Sequence, residues 1–143
     1  MFALSLFVIA ALAGCSVFGS GGDSADADDL GQFERVTLEE GETVFINALD
    51  VRITFVEKTE DSRCPIGVEC VWEGEVQALF QVTPTGSPAQ SVTIRGFVDD
   101  AGENTVIADA AGFRLTLERL APYPVDGQAD AAPPTATLTV IRL

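Results

Sequence analysis

The chain contains three cysteines, Cys15, Cys64 and Cys70, and no histidine. Histidine is the most common general base and the most common metal-binding side chain in proteins. Its absence excludes the familiar serine and cysteine hydrolases, and it excludes any zinc site that requires imidazole. The groups left for chemistry are three thiols and an excess of carboxylates.

Cys15 follows the apolar segment Phe2–Ala13. This segment is too short to span a bilayer, which needs about 20 residues, but it suits the hydrophobic core of a signal peptide. The run Leu12-Ala13-Gly14-Cys15 resembles the bacterial lipobox. The resemblance implies a diacylglyceryl group on the Cys15 sulfur, cleavage before that residue, and acylation of the new amine by a fatty acid such as palmitate. The alternative is a buried helix with a chance cysteine.

Residues 15–32 have the composition of a flexible acidic linker, with Gly19-Ser20-Gly21-Gly22 followed by four aspartates within seven residues. Such a segment can neither bury a core nor hold a regular backbone. We therefore predict a signal peptide over residues 1–14, a lipidated linker over 15–32 and a single domain over 33–143. The predicted location is the cell envelope. Ser16 is not the aspartate that retains enteric lipoproteins in the inner membrane, which favours the outer membrane if the organism has one.

Once Cys15 is lipidated, Cys64 and Cys70 are the two remaining thiols in an oxidising compartment. A structural disulfide is the favoured prediction. A redox pair or half of a metal site are the alternatives. A redox pair normally has C-x-x-C spacing beside a βαβ pattern, and a metal site needs more soft ligands than remain.

The two cysteines lie in the segment Asp61-Ser62-Arg63-Cys64-Pro65-Ile66-Gly67-Val68-Glu69-Cys70-Val71-Trp72-Glu73-Gly74. It resembles a motif, D-S-R-C-P-x-x-V-x-C-x-W-x-G, of a family of small exported bacterial proteins. Leu120-Ala121-Pro122-Tyr123-Pro124 resembles a later pattern of the same family. The resemblance covers most of residues 50–143 and implies no particular activity.

The motif admits two interpretations. In the structural one, which we favour, Trp72 begins a strand and packs over the disulfide, while Gly74 allows close backbone approach or a bulge. In the functional one, the stapled loop is an interaction surface formed by Arg63, Trp72, Glu73 and Tyr123, because arginine and aromatic residues are enriched at binding hot spots. A buried Trp72 would support the first interpretation and an exposed Trp72 the second.

Two acidic groups have the residue types of calcium ligands. Neither has the EF-hand spacing, and solvated turns are the favoured interpretation of both. They are Asp99, Asp100 and Glu103, and Glu57, Glu60 and Asp61. No metal or cofactor is therefore predicted.

The domain has the alternation of apolar and polar residues that is typical of half-buried strands. Glycine- and proline-rich turns separate the segments, and residues 121–134 are predicted to form a loop. This pattern predicts an all-β fold, an antiparallel sandwich or small barrel of about seven or eight strands. The predicted strands lie around residues 33–38, 43–46, 51–55, 76–82, 92–94, 113–117 and 136–140.

The formal charge is −14, from 22 acidic and 8 basic residues. Such a surface repels nucleic acid phosphates and anionic lipids, so neither is an expected partner. We predict a non-catalytic binding or structural module, anchored to the membrane through its lipid. The alternatives are an inhibitor of an exogenous hydrolase, such as lysozyme or a protease, and an enzyme with carboxylate chemistry.

Overall fold

The structure is a computed structural model that describes residues 32–129 and 132–143. The predicted signal peptide, Cys15 and nearly all of the predicted linker lie outside the described residues. Eight strands are present in the described ranges. They are β1 (Phe33–Glu39), β2 (Thr43–Ile46), β3 (Val51–Asp61), β4 (Val76–Pro84), β5 (Gln90–Gly96), β6 (Val106–Ala110), β7 (Phe113–Ala121) and β8 (Thr135–Arg142).

The strands form two antiparallel four-stranded sheets, with the orders β1-β8-β7-β6 and β2-β3-β4-β5. The two sheets pack face to face, so the prediction of an all-β antiparallel sandwich is confirmed. In the described part of the chain, no helix has the length and apolar character needed to cross a membrane.

The core lies between the sheets and is built by alternate residues of each strand. In β4, for example, Val76, Ala78, Phe80 and Val82 are fully buried, and the intervening residues are partly exposed. The rings of Phe55 and Phe80 stack at the centre, with 5.0 Å between centroids. Period-two patterning therefore corresponds directly to the inner face of each sheet.

Two features of the strands differ from the sequence prediction. β6 was not predicted, because it is a five-residue edge strand whose Ile107 is exposed and whose inward residues are only partly buried. Trp72 does not begin the strand after the motif, because β4 starts at Val76. The prediction that residues 121–134 connect the last two strands is confirmed at both ends, where β7 stops at Ala121 and β8 starts at Thr135.

The strand register defines two ends of the sandwich. At one end β3 leads into β4, and β7 leads towards β8. At the other end Phe33 pairs with Ile141, and the amide of Leu143 donates to the carbonyl of Gly112. β1 runs from this second end to the first over about 20 Å. The chain therefore enters the domain at the end opposite the β3–β4 connection.

Candidate functional site

Residues 62–75, here called the stapled loop, connect β3 to β4. Its neck continues the pairing of the two strands: the amide of Ser62 donates to the Glu75 carbonyl (2.8 Å) and the amide of Cys64 donates to the Glu73 carbonyl (2.9 Å). The Ser62 hydroxyl also accepts from the amide of Glu75 at 3.2 Å. The backbone on both sides of the loop is thus held in a defined geometry, even though neither side is part of a strand.

The disulfide between Cys64 and Cys70 closes the outer part of the loop, with Cα atoms 5.9 Å apart. The predicted disulfide pairing is confirmed. The amide of Cys64 also donates to the Glu73 carbonyl, so the disulfide joins the tip of the loop to its hydrogen-bonded neck.

Arg63 is buried beneath the loop, with only 2% of its surface exposed. Its guanidinium makes a bidentate pair with Asp61, with Nε to Oδ1 at 2.8 Å and Nη2 to Oδ2 at 2.7 Å. Nη1 donates to the carbonyl of Leu120 at 2.8 Å, and Nη2 also donates to that of Pro122 at 3.2 Å. Arg63 therefore ties the stapled loop to the end of β7, and the prediction that it forms part of an exposed surface is wrong.

Tyr123 adds an aromatic contact to this arrangement. Its half-buried ring lies over the Arg63 guanidinium, with 4.5 Å between Cζ and the ring centroid. An arginine stacked on an aromatic face retains both its charge and its in-plane hydrogen bonds. The predicted candidates Arg63 and Tyr123 thus lie together, but as an internal clamp on the loop.

The carboxyl group of Asp61 is the acidic partner in this clamp. Its burial acts to raise its pKa, but the hydrogen bond and charge of Arg63, with the charge of Lys58, outweigh that effect and lower the pKa. Lys58 Nζ lies 3.5 Å from Asp61 Oδ2. Asp61 is therefore held ionised at neutral pH, which suits a structural counter-ion and does not suit a general acid.

A second connection joins the loop to residues 121–126. The amide of Ile66 donates to the Pro124 carbonyl (2.9 Å), and the Ile66 carbonyl accepts from the amide of Asp126 (3.0 Å). These bonds form a short parallel bridge between Ile66 and Val125. The loop is consequently supported by its own neck and also by the connection between β7 and β8.

Gly74 permits the neck to close. Its φ is +78°, and a Cβ at this position would lie 1.9 Å from the carbonyl oxygen of Ser62. No side chain fits at that distance. The prediction that Gly74 allows another backbone to approach is confirmed.

The outer surface of the loop is apolar and exposed. Trp72 is 63% exposed and Val71 fully exposed at 103%, with Ile66 at 57% and Val68 at 43%. The expectation that Trp72 is buried against the disulfide is wrong. Trp72 still belongs to the loop, because β4 begins only at Val76, four residues later. Its side chain therefore does not occupy one of the strand positions that face the core.

Glu73, the remaining predicted surface residue, is exposed beside Trp72. Glu69 on the same loop and Asp126 on the adjoining segment are exposed as well. A Cβ at Gly67 would lie 3.7 Å from the Cβ of Asp126, so this aspartate is next to the loop tip. We call Ile66, Val68, Val71 and Trp72 the tryptophan patch, and Glu69, Glu73 and Asp126 its acidic rim.

The two predicted acidic groups are engaged in local bonds. The Asp99 carboxylate accepts from the amides of Glu103 and Asn104 and from the Asn104 side chain, and these bonds lower its pKa although burial acts to raise it. Asp100 binds Arg119, and Glu60 accepts from Gln77. Among the described residues, no group of three or more acidic or cysteine side chains is arranged to hold a metal ion.

An open depression of about 330 Å³ lies between the edge strands β1 and β2. Val36, Val44 and Ile46 line it, and Glu34 is its one ionisable lining residue. It lacks the convergent polar groups that mark small-molecule sites. The tryptophan patch is therefore the stronger candidate site in the described part of the chain.

The residues that sequence analysis missed are Ile66, Val68 and Val71. A signal for them was present, since a ring closed by a sequence separation of six has no interior in which to bury apolar side chains. The pairing of Arg63 with Asp61 also had a signal: the two residues are two positions apart, so both lie on the same face of an extended chain.

No family model, curated protein or solved structure matches this chain.

Proposed function

We propose that this protein is a non-catalytic binding module of the bacterial cell envelope, anchored through lipid on Cys15, and that the tryptophan patch is its binding surface. The observation that carries the proposal is the exposure of Trp72 and Val71 on a loop that is otherwise tightly held. Exposed contiguous apolar surface that is not needed to build the core is the physical mark of a partner site.

The construction of the loop supports this role. The neck bonds, the disulfide and the Arg63 clamp order the backbone around Trp72 before any partner arrives. A partner therefore meets a surface whose conformational entropy has already been lost during folding, which favours affinity. Tryptophan is also the residue type most enriched at the energetic centres of protein interfaces.

The position of the loop supports it as well. The chain from Cys15 enters at Phe33, and the stapled loop lies at the opposite end of the sandwich. A lipid on Cys15 would attach the domain by one end and leave the patch at the other. That arrangement suits a module that reaches away from the membrane on its linker.

The chemistry of the carboxylates favours a non-catalytic role over a carboxylate enzyme. A general acid needs a raised pKa. Here the hydrogen bond from Arg95 lowers the pKa of Glu75, and the hydrogen bond from Arg114 lowers the pKa of Asp109. Asp61 and Asp99 are shifted in the same direction.

The second candidate function is inhibition of an exogenous hydrolase such as lysozyme or a protease. The observation that favours it is the rigid, disulfide-closed loop with a projecting apolar tip, because protease inhibitors bind through loops that hardly change conformation. In this case, too, the tryptophan patch would make the contact.

Site-specific photocrosslinking in living cells tests the proposal. A photoreactive phenylalanine analogue at position 71 should yield a discrete adduct, because the Val71 side chain is fully exposed. The same analogue at position 87, in the exposed β4–β5 turn at the other end, is the control. The adduct from position 71 should disappear in a Trp72→Ala background. An adduct pattern that is identical at both positions, or insensitive to Trp72, would contradict the proposal.

A further inference from the structure

We infer that the partner of the tryptophan patch is a cationic protein surface, in which lysine or arginine side chains surround an apolar pocket for Trp72. This inference rests on the proposed binding function and adds the charge of the partner. It follows from the acidic rim, from the placement of nearby cations and from the position of the patch in the fold.

The acidic rim places negative charge on the same loop as the exposed apolar side chains and on the segment beside the loop tip. Glu69 and Glu73 flank Cys70, Val71 and Trp72 in sequence, and Asp126 adjoins the loop at Gly67. All three rim carboxylates are exposed. Charges at the edge of an interface steer association and select partners of opposite sign.

The two arginines close to the loop are each paired with a carboxylate. Arg63 is the only basic residue in the stapled loop, and it is buried in its pair with Asp61. Arg95, on the neighbouring strand β5, binds Glu75 through its guanidinium. The exposed surface of the stapled loop therefore presents apolar and negative groups together.

Charge also separates this partner from the other two possible occupants of the patch. In a symmetric contact between two copies, each acidic rim would face the rim of the partner copy, and like charges destabilise such an interface. Anionic lipid surfaces repel the rim in the same way. The chain enters the domain at Phe33, and the patch lies at the opposite end of the sandwich. A lipid anchor before Phe33 would therefore hold the other end of the domain at the membrane.

The probe for the test is a phage library of random peptides without charge bias, selected on the purified intact protein and depleted on its Trp72→Ala variant. We expect the enriched peptides to combine lysine or arginine with an aromatic or aliphatic residue. A synthetic copy of an enriched peptide should bind Trp72→Ala at least about 30-fold more weakly than the unmodified protein, as expected for a hot spot.

A charge-matched pair of variants isolates the acidic rim. The double variant Glu69→Gln/Glu73→Gln should weaken the peptide by about tenfold at low ionic strength, and less at high salt. The double variant Glu34→Gln/Glu57→Gln removes the same charge from strands away from the loop and should change affinity little. Both should retain the thermal transition, because Glu69, Glu73 and Glu57 are exposed and Glu34 is only partly buried.

The outcomes separate the charge of the partner from the binding function itself. Neutral or acidic peptides that still require Trp72 would overturn the cationic partner and leave the binding surface intact. A selection that enriches no Trp72-dependent peptide would overturn both.

Two further outcomes identify the other occupants. Trp72 is the only tryptophan of the chain, so its fluorescence reports on the patch alone. A blue shift on reconstitution into phosphatidylcholine vesicles without peptide would assign the patch to the membrane. Self-association that is abolished by Trp72→Ala in sedimentation experiments would assign it to a second copy. Either result would overturn the inference.

Discussion

Arg63 shows how one side chain can organise a loop that lacks regular secondary structure. Its guanidinium is enclosed, donates to Asp61 and to two carbonyls, and stacks on Tyr123. Burying an ion pair is costly unless the geometry and the additional hydrogen bonds are good, and here both conditions are met. The consequence is that the loop can expose its apolar residues without losing its own structure.

Replacement of Arg63 by alanine should be among the most destabilising surface-loop substitutions in the protein. It takes the guanidinium away from two backbone carbonyls and from the Asp61 carboxylate, which is 7% exposed and keeps only the more distant Lys58 Nζ at 3.5 Å as a neighbouring cation. Removing one partner of a buried pair costs about 3–5 kcal/mol. Chemical denaturation of the Arg63→Ala variant measures this change in the free energy of unfolding.

The matched control for Arg63→Ala is Arg114→Ala. Arg114 makes a bidentate pair with Asp109 of similar geometry, at 2.8 and 2.9 Å, but both side chains are over 40% exposed. Exposed pairs contribute little to stability, because water and salt screen their charges. Equal losses of stability in the two variants would show that burial of the Arg63 pair has no special effect.

The lowered pKa of Asp61 predicts a specific dependence of stability on pH. The pKa of Asp61 in the folded protein lies below its ordinary value of 3.8. The ionised carboxylate therefore stabilises the fold, and this stabilisation is fully present above pH 3.8. The contribution is lost as the pH falls through the lower folded pKa. The difference in unfolding free energy between the unmodified protein and Asp61→Asn should therefore narrow below about pH 3.8. A difference that is constant down to about pH 2 would contradict the assignment.

The neck of the stapled loop requires a glycine at position 74, because the backbones on its two sides lie in close contact there. Gly74→Ala should be severely destabilising, since the new methyl group would overlap the Ser62 carbonyl oxygen. Gly86→Ala is the control: its φ of +75° nearly equals the +78° of Gly74, and a Cβ added there would meet no atom within 4 Å. The control carries only the left-handed backbone cost, about 1–2 kcal/mol. Thermal unfolding should place Gly74→Ala well below Gly86→Ala, and similar transitions would refute the close approach.

The disulfide predicts a second property of this element. In protein that carries Cys15→Ser, no free thiol should react in denaturant until a reductant is added, because Cys64 and Cys70 are bonded. The chain-entropy relation for a loop of about seven residues gives a stabilisation of about 2.4 kcal/mol. The Cys64→Ala/Cys70→Ala variant should lose stability of that order in chemical denaturation. Two reactive thiols in envelope material would contradict the pairing.

The elements that could be predicted from sequence are those whose pattern repeats. β3, β4, β7 and β8 have several consecutive inward apolar residues, and period two defines their buried face without knowledge of their neighbours. β6 lacks this signal because an edge strand buries little. Trp72 and Arg63 lie where the chain is not periodic, and the burial of Arg63 depends on contacts with residues nearly 60 positions away, Leu120 and Pro122. Local pattern carries no information about such contacts.

The sandwich separates the point where the chain enters the domain from the proposed binding surface. Phe33 lies at one end and the stapled loop at the other, joined by strands that run the full length of the domain. Because the two sheets pack closely through a common core, the distance between these two ends is fixed. The distance between the entry point and the patch is thus set by the length of the strands.

The separation of Phe33 from the tryptophan patch would point the patch away from the membrane if the chain is anchored through Cys15, which lies outside the described residues. If Cys15 carries the lipid, cells fed radiolabelled palmitate should label the unmodified protein, and Cys15→Ser should abolish the label and retard processing. Cys64→Ala/Cys70→Ala is the control, because it removes the other two thiols and should keep the label. Two or three acyl chains give stable attachment, so the unmodified protein should sediment with membranes and Cys15→Ser should be released if it is processed at all. Equal labelling of the unmodified protein and Cys15→Ser would refute the lipoprotein assignment, and the separation of the two ends would then need another explanation.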